Sequence, residues 1–553
     1  MPRNLLMMIA VAVLALFATA AFAQMVTGTI TGTVKDNSGA FVPNARVTVT
    51  DTDENVVVRT LQTNGSGEYS APLLPVGRYA VTAEAPKFKR SQQTNITLDV
   101  NANLTINFSL QVGSAQETVT VTQPPSEVDT ETAQAQTVIT SAQINELAVN
   151  TRNYEQLVTL MPGVSTGLAS DQLYVGASNP VGTSNQINFS INGGRPTQNA
   201  WNIDGADNLD RGANLTLLAY PSLDSIQEFS VQRGQFGAEY GRGSSGQINV
   251  ITKSGTNGFH GDLYEFFRND DLDANNYLNN ASLIGRPALR YNDFGGTIGG
   301  PIFKDKTFFF FSEEVRRVIT YTTFQAVVPT AAERAGTFPV PVCLNASCTD
   351  TGTQVPTIDP AAQAYLTDII DKIPLPSAGC TSSCFLTNVG RNIFNLHQEI
   401  VRIDQVFGSK FRLFGRFEND TIPTQEPGGL FVGDPLPGVS TTSTNSPSRI
   451  VMVHGVNTFS PTLLNDVGVN YSHGGITSNP TGLDTAANSP DVVNAVTLPY
   501  TETLGRVPDL AFINFSAING FGPYRDYNDD YNAFEPRQQN LWVVSGSGSR
   551  PSV

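Results

Sequence analysis

Residues 289–314 read Leu289-Arg-Tyr-Asn-Asp-Phe-Gly-Gly-Thr-Ile-Gly-Gly-Pro-Ile-Phe-Lys-Asp-Lys-Thr-Phe-Phe-Phe-Phe-Ser-Glu-Glu314. The stretch predicts a strand ending near Phe303, a tight turn at Lys304-Asp305-Lys306, and a returning strand that opens on Phe308, Phe309, Phe310 and Phe311. A water-soluble hairpin rarely sets four phenylalanines beside a charged turn. An outer-membrane barrel does, because an aromatic girdle belongs at the level of the lipid headgroups. Gly295, Gly296, Gly299 and Gly300 suit a bent, tightly packed strand.

Downstream the same pattern continues. Phe411, Leu413 and Phe417 alternate with Arg412, Arg416 and Glu418. Leu463, Val467, Val469 and Tyr471 alternate with Asp466, Gly468, Asn470 and Ser472. Strands of this kind turn one face to lipid and the other to a polar lumen. Gly408-Ser-Lys410 is a short turn, and the polar, Pro/Gly-rich segments 320–395 and 420–448 are expected as long loops at the opposite end. About eight or nine strands can be counted to residue 553, at ~10 residues a strand. Cys343, Cys348, Cys380 and Cys384 all fall in the first long loop. In an exported chain four close cysteines point to two disulfides. Of the three connectivities open to them, pairing by proximity (Cys343–Cys348 and Cys380–Cys384) is the expectation. A zinc site is the weaker reading, since the spacings are irregular and no histidine lies between them.

Upstream, Gly261-Asp-Leu-Tyr-Glu-Phe-Phe-Arg-Asn269 precedes Phe294-Gly-Gly-x-x-Gly-Gly-Pro301. In that order these motifs resemble the start of the barrel in Oar-like TonB-dependent outer-membrane receptors. Before them, Ile191-Asn-Gly-Gly-Arg-Pro196, Asn202-Ile-Asp-Gly205, Ile226-Gln-Glu-Phe-Ser-Val-Gln-Arg-Gly234, Glu239-Tyr-Gly-Arg-Gly-Ser-Ser-Gly246 and Ile248-Asn-Val-Ile-Thr-Lys-Ser-Gly-Thr-Asn257 resemble the plug that fills the barrel of these receptors. Arg233-Gly234 keeps two residues of the family's Arg-Gly-Pro, and Gln235 replaces the proline, as is usual in the Oar-like branch. A helix is expected at Ser141–Leu147 with Ser141 as N-cap. Two other motif matches carry nothing. Gly241-Arg-Gly-Ser-Ser-Gly246 spells a dinucleotide fingerprint but opens onto a strand rather than a helix. Gly163-Val-Ser-Thr-Gly167 spells a hydrolase elbow but follows Met161-Pro162 rather than a buried strand.

The segment 24–113 alternates cleanly at Val47 and Val49, at Tyr79 and Val81, and from Leu104 to Leu110, with turns at Asp36–Gly39, Asn64–Gly67 and Pro75–Gly77. That spacing suits a small β-sandwich. Gly32-Thr-Val-Lys-Asp-Asn-Ser-Gly39, Ala45-Arg-Val-Thr-Val49, Gly67-Glu-Tyr69 and Leu74-Pro-Val-Gly-Arg-Tyr79 resemble the carboxypeptidase regulatory-like domain, a transthyretin-like sandwich that is not itself the peptidase. The four histidines, His260, His397, His454 and His473, begin no zinc-peptidase motif. In the linker 114–128, Glu117-Thr118-Val119-Thr120-Val121 is a β-prone run closed by Gln123-Pro124-Pro125. Such a run can add a strand to an exposed sheet edge. It resembles a TonB box, the segment these receptors offer to the energy-coupling protein TonB; the alternative is a last strand of the sandwich running on.

The chain opens with Arg3, an apolar run from Leu5 to Phe22, and Ala21-Phe22-Ala23 before Gln24, which together read as a secretory signal peptide cleaved between Ala23 and Gln24. A formal charge of −16 argues against nucleic acid as a partner. Charged residues are 15% of the chain, below the ~25% usual for soluble domains, which suits strands that face lipid.

The expected fold is therefore mainly β: a signal peptide at 1–23, a transthyretin-like sandwich at 24–113, a linker at 114–128, an α/β plug at 129–257, and the first part of a transmembrane antiparallel barrel at 258–553. Receptors of this family close about twenty-two strands, so the resemblance implies the N-terminal half of a longer receptor. It also implies a bacterial outer-membrane location with the sandwich in the periplasm, and energised transport. TonB with its inner-membrane complex, outer-membrane lipid and an extracellular substrate would be the partners. No catalytic, metal or cofactor residue is expected. Loop length points to a large substrate such as a carbohydrate or peptide. The alternative is a structural or adhesive outer-membrane protein without transport.

Overall fold

The computed structural model of the protein describes residues 27–113, 118–121, 135–166, 187–209, 216–234, 236, 240–241, 243–275, 277–281, 283, 285–376, 379–380, 384–428, 436–460, 462–495 and 527–542. The signal peptide, its cleavage site at Ala23 and Gln24, Glu117 and Gln235 lie outside the described residues.

Nine short strands build the first module: β1 (Thr27–Asp36), β2 (Arg46–Asp51), β3 (Val56–Gln62), β4 (Glu68–Pro75), β5 (Gly77–Glu84), β6 (Arg90–Leu98), β7 (Asn103–Thr105), β8 (Phe108–Leu110) and β9 (Thr118–Val121). They form two sheets, β3-β2-β5-β6-β9 and a second in which β1 pairs with β4, β7 and β8. Alternation drives the packing, because every second residue of each strand points into the sandwich. Ile30, Val34, Val47, Val49, Tyr79, Val81 and Ile96 are completely buried there. The turns close on their own side chains. Asp36 Oδ1 accepts the amides of Ser38 and Ala40, and Asn64 Oδ1 those of Ser66 and Glu68. At Gly32 the backbones of β1 and its neighbours come so close that a Cβ would stand 1.7 Å from the Ile106 carbonyl oxygen.

The second module is a mixed sheet, β10-β15-β16-β13-β14, of β10 (Gln136–Thr140), β13 (Ala200–Ile203), β14 (Ala206–Asp207), β15 (Ile226–Gln232) and β16 (Gln247–Thr252). A separate pair joins β11 (Val164–Thr166) to β12 (Phe189–Ile191). The expected helix forms over Ser141–Glu146, but its cap is Thr140, not Ser141. Thr140 ends β10 with extended dihedrals, so its hydroxyl is free to accept the Gln143 amide while Gln143 Oε1 accepts the Thr140 amide. The glycine motif before residue 247 leads into strand β16, as its sequence context implies.

Eight long antiparallel strands follow in meander order: β17 (His260–Asn269), β18 (Leu289–Phe303), β19 (Thr307–Val327), β22 (Phe385–Phe407), β23 (Phe411–Thr421), β26 (Ser448–Ser460), β27 (Leu463–Pro480) and β28 (Tyr527–Trp542). Between β19 and β22 lie β20 (Thr337–Cys343) and β21 (Thr351–Gln354), and between β23 and β26 lie β24 (Pro423–Glu426) and β25 (Thr442–Asn445). Among the described residues β17 and β28 are not paired with each other, so the sheet is an open curved wall. It curves around the plug, and one apolar cluster joins Trp201, Phe229 and Val250 of the plug to Tyr291, Val318, Phe394, Leu396 and Met452 of the wall. Gly295 permits the pairing of β18 with β19, since a Cβ there would stand 2.2 Å from the Glu313 carbonyl oxygen.

Two expectations need correction. The four phenylalanines do not form one girdle. Period-two geometry sends Phe308 and Phe310 inward, both fully buried, and only Phe309 and Phe311 outward. The outward aromatic belt at the turn end is instead assembled across strands, from Phe259, Phe303, Phe309, Phe407, Phe411 and Phe459, with Phe259 against Phe309 and Phe407 stacked on Phe411. The long loops are also shorter than expected. β19 runs on to Val327 and β22 starts at Phe385, while β24 and β25 pair with β22 and β27 and raise the wall. The remaining segment between β19 and β22 packs against the other loops at that end: Tyr365, Ile369, Ile370 and Ile373 lie with Val328, Leu436, Val439 and Val492 in one apolar cluster. Cys343 is joined to Cys348 and Cys380 to Cys384, with Cα–Cα distances of 4.7 and 5.6 Å. Among the described residues no helix is long and apolar enough to cross a membrane.

Candidate functional site

The inward face of the wall carries charges two residues apart: Glu314 and Arg316 on β19, Arg402 and Asp404 on β22, Arg416, Glu418 and Asp420 on β23. A strand places such neighbours on one face. Here that face meets the plug, and the charges become an ionic belt around it.

Asp204, at the end of β13, is the centre of one group. Its carboxylate accepts the Thr252 amide at 3.0 Å and the Thr252 hydroxyl at 2.6 Å. Arg402 reaches within 3.6 Å and Arg416 within 3.3 Å of the same carboxylate. Arg402 also forks onto Asp404 and lies over the Phe414 ring, which fixes its plane. The second group surrounds Arg316, which donates to Asp293 at 3.1 Å, Glu314 at 3.0 Å and Asn153 of the plug at 2.6 Å. Arg152 of the plug pairs with Asp224 and stands 3.6 Å from Asp293, its guanidinium over the Tyr264 and Phe266 rings. Backbone bonds complete the belt. The Tyr220 amide donates to Asp420 at 2.7 Å, and Tyr291 donates its hydroxyl to the Thr151 carbonyl at 3.1 Å.

The sandwich closes the turn end of the wall. Arg412 of β23 donates to both oxygens of Glu54, at 2.6 and 2.7 Å. Val56 packs on Phe308 and Val406, Leu73 on Val456 and Leu464, and Val100 on Ile251 of the plug. The Val100 amide donates to Glu228 of the plug at 2.5 Å. Burial, helped by the nearby Asp99 carboxylate, pushes the Glu228 carboxyl up to about 8. Burial likewise raises Glu54 to about 7, against the opposing pull of Arg412. Sandwich, plug and wall together line an open cavity of about 660 Å³, with Asp51, Arg59, Asp204, Lys253, Arg402 and His454 among its lining residues.

The candidate coupling segment is not a free linker. Thr118–Val121 forms β9, parallel to β6 on the sandwich edge, with Ser91 opposite Val119 and Gln92 opposite Thr120. The structure thus places the run as a last strand of the sandwich, the alternative weighed from sequence. The four cysteines lie at the far end of the wall, beyond the belt. Glu313, His397 and Glu399 gather on the outward face of β19 and β22, away from the plug, where His397 Nε2 stands 3.2 and 3.7 Å from the two carboxylates. Sequence reasoning quoted Asp204 and Arg416 only as parts of motifs and missed the belt. The signal was present as like-spaced charges on otherwise apolar strands, but their partners are up to hundreds of residues away.

Family models match all three modules: "Outer membrane beta barrel domain" over residues 251–547, "TonB-dependent Receptor Plug Domain" over 128–247 and "Carboxypeptidase regulatory-like domain" over 29–111. The TonB-dependent transporter Oar of Myxococcus xanthus is 30% identical over 310 residues, which are 53% of this chain and 27% of that protein. The chain thus spans about a quarter of the length of that curated relative. Among solved structures, the outer membrane transporter YddB from Escherichia coli is 12% identical with a TM-score of 0.46, covering 75% of this chain and 46% of its own. A mutant of the ferric enterobactin receptor PfeA from Pseudomonas aeruginosa is 14% identical with a TM-score of 0.36, covering 64% and 42%. With a barrel match across more than half its length, behind a receptor-plug match and a regulatory-like sandwich match, the chain belongs to the outer membrane β-barrel domain family.

Proposed function

We propose that this protein carries a substrate across the outer membrane by TonB-energised displacement of its plug. The observation that supports this is the ionic belt: a separate domain seated inside a wall of strands and held there by polar contacts centred on Asp204 and Arg316. Substrate binds the loop end; TonB takes hold of β9 by strand addition; the pull reaches the plug through residues 122–134. Energy comes from the inner membrane through TonB, and no step needs a bond to be made or broken in the substrate. The pairing of β9 with β6 is the observation that favours a structural or adhesive role instead, since a strand already satisfied has less to offer a partner.

The two readings part at Val119. A peptide covering 115–123 is expected to bind the periplasmic domain of the cognate TonB through backbone hydrogen bonds. Proline at Val119 removes a donor and fixes φ, so Val119→Pro abolishes binding and uptake while leaving substrate capture at the cell surface intact. Val119→Ile changes little. Unaltered uptake in the proline variant sinks the assignment of this segment.

A further inference from the structure

The sandwich packs against both the turn end of the wall and the plug. Resting on the transport reading above, we propose that the sandwich is a cap on the periplasmic mouth, which the pull on β9 removes before the plug moves.

Three observations carry this. The first is the interface. It combines an ion pair (Glu54 with Arg412), two apolar contacts onto the wall and a hydrogen bond onto the plug, and it borders the cavity beneath the plug. Asn55 and Asp305, at the rim, are joined by a side-chain hydrogen bond at 3.4 Å. The second is Leu73. It is fully buried against Val456 and Leu464 of the wall, at a φ of +55°. A leucine holds that left-handed conformation only where its surroundings over-determine it. The strain sits at the contact with the wall, as expected of a surface shaped for docking.

The third is the length of chain on either side of β9. Four residues, 114–117, separate β9 from the last described sandwich residue, Gly113. Thirteen residues, 122–134, separate it from the plug. At full extension these span about 14 Å and about 45 Å. β9 itself is held by only four parallel pairs to β6. The sandwich-side tether is about a third as long, so in this proposal a pull on β9 tightens it first. The cap leaves first, and only further travel loads the plug.

The test is mechanical and needs no substrate. The full-length protein is placed in nanodiscs with a clickable handle in place of Thr120, and the handle is pulled from the sandwich side in an optical trap. The expected trace has an early low-force step from rigid departure of the sandwich, followed by unravelling of the plug. In the variant Asn55→Cys/Asp305→Cys the early step disappears when the disulfide is formed and returns on reduction. The single variant Asn55→Cys, reduced in the same way, shows no change and so controls for the native disulfides. Inserting about twenty Gly/Ser residues after Gly113 makes the plug respond first, because a slack tether no longer transmits the pull. Failure of the two cysteines to cross-link, or a first step indifferent to the lock, overturns the cap. If the lock acts as described but TonB does not bind the 115–123 peptide, the cap stands and the transport reading falls.

Discussion

At the scale of single residues, Asp204 shows how one carboxylate organises a moving interface. It satisfies Thr252 within the plug and faces two guanidinium groups from the wall. Asp204→Ala leaves Arg402 and Arg416 facing each other without their shared counter-charge. Removing one partner of a buried charge group costs about 3–5 kcal/mol, so the plug should unfold or leave its seat at markedly lower urea in this variant. Limited proteolysis of the plug along a urea series measures it; a midpoint equal to that of the parent would show that the belt is decorative. Asp204→Asn, which keeps an acceptor for the Thr252 amide, should fall between the two.

At the scale of elements, the contact between β15 and the sandwich is tuned by pH. Glu228 has its carboxyl raised from the ordinary 4.5 to about 8 by burial first and the Asp99 carboxylate second, while the Val100 amide that donates to it pulls the other way. A carboxyl raised on docking favours the docked state when protonated. Docking is therefore fully supported below about 4.5 and weakens as pH rises through about 8. Hydrogen exchange at the Val100 amide, corrected for its intrinsic rate, should accelerate across that window, and Glu228→Gln should flatten the dependence. An exchange rate with no pH trend beyond the intrinsic one would place the carboxyl outside the contact. The disulfide hairpins make a second element-level prediction. Peptide mapping without reduction should find Cys343 with Cys348 and Cys380 with Cys384, each closing a loop of a few residues. Stoichiometric zinc on a peptide spanning the loop would overturn that pairing.

At the scale of the whole molecule, the sandwich is a unit with its own core. Its buried set, from Ile30 to Leu110, draws on no residue of the other modules. Residues 24–113 expressed alone should give a soluble β-rich monomer that melts cooperatively, with Val56, Leu73 and Val100 newly exposed. A disordered spectrum would contradict the independent core. The plug is different, since its core merges with the inner wall in one cluster, and it has no reason to keep its packing once removed.

What the sequence determined by itself is whatever depends on neighbours along the chain. Alternation at Phe411–Glu418 and Leu463–Ser472 established which face of β23 and β27 meets lipid, because side-chain direction in a strand has a period of two. The turn at Lys304–Lys306 and the Asx turns at Asp36 and Asn64 were legible for the same reason. The same rule, applied strictly, would have divided Phe308 and Phe310 from Phe309 and Phe311; composition alone had pooled them. The cap at Thr140 shows a similar limit, since a strand's last residue and a helix's cap are one residue here and only the backbone angles reveal it. What only the tertiary structure decided is everything made of distant partners. Asp204 meets Arg402 and Arg416, Glu54 meets Arg412, and β9 lies on β6 although its residues suit an outside partner as well. Charge and β-propensity state that a residue needs a partner; which one it finds depends on how the sheets curve around the plug, and that is a property of the packed molecule.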